Sequence, residues 1–378
     1  MTFTISPSPR LRRSPFFDAT VDAGVVSFAP YNHMLMPTGY GDPQAEYDRL
    51  INDVAMWDVS VERQVELQGP DAAKLAQALV PRKLDGLKVG QGWYVAICDH
   101  RGVLVNDPIL LKLAEDRFWF SIADSDVLFW ARAIAGERGL DVEIQEPDVS
   151  PLAVQGPRSN EVMASLFGEE AIKLKRFQFV QTSLDGIPLV MARSGWSLQG
   201  GFELYLMDGS KGVELWNRVA EAGKPFNIGP GNPNPSERVE GGLLSWGGDT
   251  DDQTNPFEVR MERYVDLDAP DDVVGIQALR RIHKEGVKRH QLGVLFNYDE
   301  KFGLYDRYSR VTMDGELCGK VTAHAWSPRL DRNIGLALVD KSVDAGASVE
   351  ILLPDDTPTS GTLCELPFIK PGPSKPRT

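Results

Sequence analysis

The chain has 378 residues, too many for one average domain, and reads as two or three. It is 42% hydrophobic and 25% charged, an ordinary globular balance, and carries a formal net charge of -14. That sign argues against nucleic-acid and anionic-membrane partners, which need a basic face, and leaves room for a small anionic ligand that needs one or two local cations. Cys98, Cys318 and Cys364 show no C-x-x-C pairing, so no disulfide framework, zinc site or other metal is expected. The N-terminus lacks a long apolar h-region, no run approaches a membrane span, and a soluble, cytoplasmic protein is the expectation.

Residues 1–20 carry Arg10, Arg12 and Arg13 among prolines and read as an extended arm. Asp42 to Met56 reads as a helix, with Pro43 in its first turn and Tyr47, Leu50, Ile51 and Val54 at helical spacing. Gln64–Gln68 alternates as a strand and ends at Gly69-Pro70, after which Asp71 opens a helix over Ala72 to Leu79. Strands follow at Tyr94–Ile97, Ile109–Leu113 and Phe118–Ile122, then a helix from Ser125 to Ala135. This is an α+β pattern without a steady βαβ rhythm. Leu152 to Pro157 repeats the strand, Gly-Pro, helix grammar of Val65 to Asp71, which points to an internal duplication. Ile228 to Pro235 reads as a long loop. From Gln291 the chain turns β-rich, with strands at Gln291–Phe296, Arg310–Met313, Gly319–Ala323, Ile334–Val339 and Ser348–Leu353, the signature of a small barrel or sandwich. Lys370 to Thr378 is Pro-rich and expected to be disordered.

One stretch is richest in chemistry. Arg193 to Tyr205 places Gly195, Gly200, Gly201, Trp196 and the lone carboxylate Glu203 between two apolar runs read as strands. Gly200-Gly201 allows a tight turn and close approach of a flat ligand. Glu203 beyond it suits a ligand edge with two adjacent N–H donors, such as the aminopyrimidinone edge of a pterin; the alternative is a hairpin whose Glu faces water. Asp107, in Asn106-Asp107-Pro108, sits at a strand mouth and reads either as a pocket carboxylate or as a turn cap. Tyr31-Asn32-His33-Met34 mixes polar and aromatic groups in an apolar stretch, against an alternative of plain packing. Trp93, Trp119, Trp196 and Trp246 lie near predicted strand ends, where rings stack on a heterocycle, enclose an onium cation or fill core. There is no G-x-S-x-G elbow, H-E-x-x-H pair or Walker loop, and His283 and His290 are too far apart for a helical metal pair.

These pieces, in this order, resemble the folate-dependent glycine-cleavage T-protein (aminomethyltransferase) family. The resemblance rests on Met56 to Ser60 with Val65 to Ala72, on Gly102 to Asp107, on Arg193 to Tyr205, and on Gly319 to Leu336 with Trp326-Ser327-Pro328 and Asn333-Ile334. It covers roughly residues 25–355. Within the family the chain is most similar to the dimethylsulfoniopropionate demethylase branch, through Pro9 to Phe16, Tyr31 to Leu35, Glu62 to Val65, Asp99 to Gly102, Asn106 to Pro108, Arg193 to Trp196, and Glu237 to Glu240 with Gly242 to Ser245. Asn234-Pro235 stands where the aminomethyltransferases carry an Arg-Asp pair. Leu198 stands where the demethylase branch would place a lysine, and Met261 to Tyr264 replaces a glycine-containing segment.

The resemblance implies three domains in a cloverleaf around a central folate channel, the last a β-barrel. Their expected spans are 1–52 with 146–285 for a discontinuous α+β folate-binding domain, 53–145 for an inserted α+β domain, and 286–378 for the barrel. It further implies that Glu203 holds the pterin edge beside Trp196, that Tyr94 and Arg193 complete the folate-binding set, and that Asp107 is the catalytic residue near the reacting nitrogen. Tyr31, Met34 and Trp246 would line the donor pocket. The implied activity is tetrahydrofolate-dependent methyl transfer from a small onium donor, with dimethylsulfoniopropionate first. Betaine-type or aryl-ether demethylation, aminomethyl transfer and non-catalytic folate binding stand behind it. A sulfonium leaves as a neutral thioether and needs no general acid, metal or redox cofactor. The implied partners are a small methyl donor and folate, and the resemblance leaves a homodimer open.

Overall fold

The computed structural model describes residues 8–303 and 305–370. The N-terminal seven residues and residues 371–378 of the Pro-rich tail lie outside the described residues. Two sheets and a closed barrel organise the rest. The six-stranded sheet runs, edge to edge, Phe179–Leu184, Ile187–Ala192, Gly201–Leu206, Ser150–Gln155, Val54–Asp58 and Ile228–Gly231. All its pairs are antiparallel except the last. The five-stranded sheet runs Glu143–Gln145, Gln64–Gln68, Arg117–Ser121, Ile109–Ala114 and Gln91–Tyr94, antiparallel throughout.

Alternation along each strand sorts side chains onto two faces. On the six-stranded sheet Phe202, Leu204 and Leu206 pack under the helices Phe17–Asp22, Ser159–Phe167 and Gly212–Gly223 with Ala19, Val162 and Trp216. Tyr205, Val190 and Ala192 face the other way, onto Leu111, Leu113 and Trp119 of the five-stranded sheet. The outer face of that second sheet is covered by the helices Ala72–Leu79 and Val127–Arg138. The two sheets therefore meet face to face, each backed by helices. The repeated grammar is realised in this arrangement: Gly69 and Gly156 both sit at φ 132° between a strand and its helix.

Several expectations are revised. The helix expected over 42–56 ends at Asn52, capped at its start by Asp42 accepting from the amides of Gln44 and Ala45. Val54–Asp58 is fully buried and pairs with Ser150–Gln155, so backbone pairing overrides helical spacing there. Val54–Asp58 thus belongs to the six-stranded sheet. The helix Ile276–Glu285 also departs from the expected division: Val274 lies in the core of the five-stranded unit, and Leu279 packs on Cys98 and Leu104. The expected loop at 228–235 holds the edge strand Ile228–Gly231 and opens the helix Pro235–Glu240, while part of the expected N-terminal arm is the helix Phe17–Asp22. In the last region Arg289–Phe296, Arg332–Asp340, Glu316–Ser327, Ser309–Met313, Ser348–Leu352 and Pro358–Cys364 close into a barrel. The sixth strand, Pro358–Cys364, lacks alternating apolar residues and escaped the sequence pattern.

Glu240 joins the barrel to the six-stranded unit. Its carboxylate accepts from the Tyr47 hydroxyl at 2.8 and 2.9 Å, from Ser327 Oγ at 2.5 Å and from Arg329 Nε at 2.9 Å. Tyr47, Ser327 and Glu240 are all buried. Glu240→Gln keeps the shape and removes the charge facing Arg329. It should lower unfolding free energy by about 2–4 kcal/mol, between one lost charge-assisted hydrogen bond and a broken buried ion pair. Urea denaturation checks this, and an unchanged midpoint would show that the barrel is held by packing alone.

Candidate active site

Glu203 is set in place by a buried glutamine. Gln155 ends a central strand of the six-stranded sheet, and its Nε2 donates to the carbonyls of Ser194 (3.0 Å) and Phe202 (3.2 Å), while its Oε1 accepts from Ser197 Oγ at 2.8 Å. This pins both ends of the 194–202 segment. Gly195, at φ 138°, and Gly201 are required because a Cβ on either would run into the Gln155 side chain. The far side is clamped by Glu237, which accepts from the Leu198 amide at 2.7 Å and Gln199 Nε2 at 3.2 Å. Burial pushes the Glu237 carboxyl up to about 7. Leu198 is itself buried and packs against the place of Gly241, so this position supplies packing and no charge to the site.

With the segment fixed, Glu203 turns toward the five-stranded sheet. Its Oε2 accepts from the Tyr205 hydroxyl at 3.1 Å and from the Ser194 hydroxyl, and its Oε1 has no partner among the described residues. Burial raises its pKa against the lowering effect of the two hydroxyls. Asp107 reaches the same space from the strand mouth after Leu104–Asn106. Its Oδ2 accepts from the Tyr94 hydroxyl at 2.6 Å, and the Tyr94 ring meets Tyr264 edge-on at 4.8 Å between centroids. Burial moves the Asp107 carboxyl up to about 7, with Tyr94 pulling it down and Asp249 adding to the rise. Neighbouring Asn106 is locked by its own bonds to Ala123 and Ser125, which holds Asp107 at a defined point.

Two further groups complete the recess. The hairpin Ser27–Tyr31 and Met34–Gly39 turns at Asn32-His33, both at positive φ, so Tyr31 and Met34 are a facing pair on one side of the ribbon. Buried Asn32 plugs the tip into the inserted unit: its amide donates to Asp124 at 2.8 Å, and its Nδ2 donates to the carbonyls of Val61 and Ala123 at 2.9 Å each. Tyr31 thereby stands near Glu62 and Asp107, and its ionisation is suppressed by burial and then by those two carboxylates. Glu62 is pushed well above the ordinary carboxylate range by burial, then Glu203, then Asp107. Tyr31, Glu62, Tyr94 and Asp107 each retain accessible surface although surrounding protein is the main cause of every one of these shifts. These half-exposed groups, packed about by protein, gather as one acidic recess. Other clefts, around Lys74, Gln77 and Arg138 and around Tyr298, Trp326 and Arg332, contain none of these residues.

Not every expected residue converges. The Arg193 guanidinium donates to Asn160 Oδ1 at 2.8 Å and lies 4.8 Å from the centroid of the Phe202 ring. Phe202 belongs to the helix-covered face, so strand alternation sends Arg193 to the side opposite Glu203. Trp196 is half-buried within the pinned segment. Trp246 donates from Nε1 to the Leu104 carbonyl at 3.2 Å and packs in the cluster that backs Tyr94 and Tyr264, so it buttresses the recess. Glu62, Tyr205, Ser194 and Tyr264 were not singled out for the site from sequence. The alternation Glu203, Leu204, Tyr205 already placed Tyr205 beside Glu203; Glu62 and Tyr264 lay in segments compared with the family, with no local pattern assigning either to the site.

Comparison with known proteins gives the class. The GCVT N-terminal domain matches residues 16–269, and the glycine cleavage T-protein C-terminal barrel domain matches residues 289–370. The chain belongs to the glycine cleavage T-protein family. Among its relatives it is 42% identical over 353 residues to the dimethylsulfoniopropionate demethylase DmdA of Ruegeria pomeroyi, covering 93% of this chain and 96% of that one. It is 30% identical over 368 residues to an aminomethyltransferase of Rubrobacter xylanophilus, covering 95% of each. The fold matches the crystal structure of the glycine cleavage system aminomethyltransferase T from Bartonella henselae with a TM-score of 0.82, over 96% of this chain and 99% of that one at 22% identity. Among the described residues no helix is long and apolar enough to cross a membrane.

The recess has a pH signature. Asp107 holds its proton up to about 7 in the native state, whereas an unfolded carboxyl loses it at about 4. Between those values the native state binds more protons than the unfolded state, so stability falls as pH rises, by at most about 1.4 kcal/mol per pH unit for one group. Asp107→Asn should flatten that fall. Urea midpoints measured across the window test it, and an unaltered slope would place Asp107 in ordinary water.

Proposed function

We propose that the chain is a tetrahydrofolate-dependent demethylase, moving a methyl group from the onium donor dimethylsulfoniopropionate to tetrahydrofolate and releasing methylthiopropionate and 5-methyltetrahydrofolate. One observation carries the reading: Asp107 and Glu203 face one enclosed recess with no cation among the causes of their shifts. Such a recess favours a cationic donor and a ligand edge rich in N–H groups. The higher identity with the demethylase than with the aminomethyltransferase supports the sulfonium over an aminomethyl donor.

The residues present fit a reduced folate. Glu203 has one oxygen satisfied by Tyr205 and Ser194 and the other free to accept from a pterin N–H edge. Reduced folate, when bound, supplies the nucleophilic ring nitrogen. The S–CH3 bond breaks with its electron pair kept by sulfur, and an N–CH3 bond forms, so the donor departs as a neutral thioether. The nitrogen must then lose a proton. Asp107, with a pKa near neutrality and its carboxylate oriented by Tyr94, is matched to accept it. The remaining acceleration comes from alignment inside an enclosed site. Buried Leu198 brings no cation to a donor carboxylate, a group that sulfonium and betaine donors share, so a betaine stands as the second reading.

Glu203→Ala should weaken tetrahydrofolate binding by about 1.5–3 kcal/mol, the range for a hydrogen bond to a charged group, as read by calorimetry. Asp107→Asn should not lower the melting temperature, and should lower turnover roughly 10²-fold or more. Mass spectrometry of both products after incubation with tetrahydrofolate and dimethylsulfoniopropionate is the direct test. Methyl transfer from glycine betaine without formation of methylthiopropionate would replace the sulfonium by the second reading.

A further inference from the structure

The loop between Val54–Asp58 and Gln64–Gln68 is unusually well tied down for a turn that carries a carboxylate with nothing to hold. Its Val61 carbonyl accepts from Asn32 Nδ2 at 2.9 Å. The Glu62 amide donates to the Val59 carbonyl at 2.9 Å, and the Glu62 carbonyl accepts from Gln64 Nε2 at 2.6 Å. Arg63 leaves on the other side to meet Glu146 at 2.9 Å, where Arg12 also pairs. Val61 is buried in the protein. Hydrogen bonds on both sides of Glu62 thus hold the turn that presents it. Its carboxylate accepts no hydrogen bond and forms no ion pair among the described residues. The bond from Asn32 to the Val61 carbonyl brings the hairpin tip with Tyr31 to this turn, and Glu203, Asp107, Tyr205 and Tyr31 lie close enough to exchange charge effects with Glu62.

We infer that Glu62 is the specificity-determining carboxylate that receives the onium group of the methyl donor, with Tyr31 and Tyr205 beside it. This rests on the demethylase reading for the donor's identity. The reasoning is electrostatic. Three carboxylates, Glu62, Asp107 and Glu203, share one recess, and none has a lysine or arginine among the causes of its shift. Asp107 has the Tyr94 hydroxyl and Glu203 has the Ser194 and Tyr205 hydroxyls, so Glu62 alone meets the recess without a donor. A sulfonium or quaternary ammonium has no N–H or O–H to offer, so a hydrogen-bonded carboxylate gains nothing from its other partners in meeting it. A bare carboxylate flanked by phenol rings meets its charge and its methyl surface together. A neutral thioether product loses that attraction, so the same group discriminates donor from product.

The test separates binding from turnover. Calorimetry of the full chain without tetrahydrofolate uses dimethylsulfoniopropionate and glycine betaine as onium probes and methylthiopropionate, which has the carboxylate but no onium charge, as the control. The parent should bind an onium probe more tightly than methylthiopropionate. Glu62→Gln should weaken onium binding at least roughly tenfold, should not weaken methylthiopropionate binding, and should leave tetrahydrofolate affinity within about twofold. Glu62 lacks protein partners, so the variant should fold, and its melting temperature checks this. In turnover, KM for the donor should rise more than kcat falls. A Glu62→Gln protein that loses tetrahydrofolate affinity and keeps onium affinity would assign Glu62 to the pterin edge and overturn the inference. Unchanged onium binding, or a parent that binds no onium probe, would overturn it too. A parent that binds an onium through Glu62 and transfers no methyl from it would instead overturn the demethylase reading and leave Glu62 standing.

Discussion

The helix Pro235–Glu240 is the constraint on which the site depends. Asn234 caps it through the amides of Ser236 and Glu237 at 3.0 Å each. Successive residues then lock different parts of the protein. Glu237 clamps the segment that carries Glu203, and Arg238 reaches Asp249 at 2.6 Å. Val239 is buried against Ala323, Ala325, Ile334 and Leu336 of the barrel, and Glu240 ties Tyr47 to Ser327 and Arg329. Asp249 also accepts from Thr322 Oγ1 of the barrel at 2.8 Å, and its charge is felt at Asp107. The barrel thus does more than cap the chain: it fixes the acidic surroundings in which Asp107 titrates.

That rigidity makes the recess tolerable. Like charges held close raise one another's pKa, and a flexible chain would relieve the strain by swinging a side chain into water. Here Asn106, Asn32 and Gln155, all buried, tie down the backbone that bears or flanks Asp107, Tyr31 and Glu203. Burial raises the pKa of Glu62, Asp107 and Glu203, and neighbouring carboxylates add to the rise at Glu62 and Asp107, so protonation relieves the cost of holding them there. A cationic donor offers a second way to relieve it, so binding and protonation compete for the same carboxylates. The energy stored by the fold in this way is available to ligand recognition.

The face-to-face sheets explain why the recess lies where it does. Each sheet buries one face under its own helices, and both present their second face to the other. Apolar contact at Leu111, Leu113, Trp119 and Val190 closes one part of that contact. Polar residues of the same faces, Glu203 and Tyr205 among them, line the space that remains near the strand ends. Trp246 and Tyr264 then back Tyr94 from a segment that follows the six-stranded unit in sequence yet packs against the ribbon Ile97–Cys98 and Leu104–Asn106.

Much of this was legible in the amino-acid order. Alternation and turn glycines marked Gly201–Leu206 and Gln64–Gln68 as strands, the Gly-Pro repeat marked the paired units, and the short spacing of β segments marked the barrel, because these features depend on neighbours within a few residues. Asp107 and Glu203 stood out for the same local reason, a lone carboxylate beside a strand end. The position of Val54–Asp58 was settled by its pairing with Ser150–Gln155, nearly a hundred residues away, which outweighs its helical spacing. The side taken by Arg193 was decided by which face the helices cover. Glu62 gains its meaning from Tyr31, Asp107 and Glu203, brought to it from three separate stretches of chain. Electrostatic environment is a property of distances in space, and only the tertiary structure sets those.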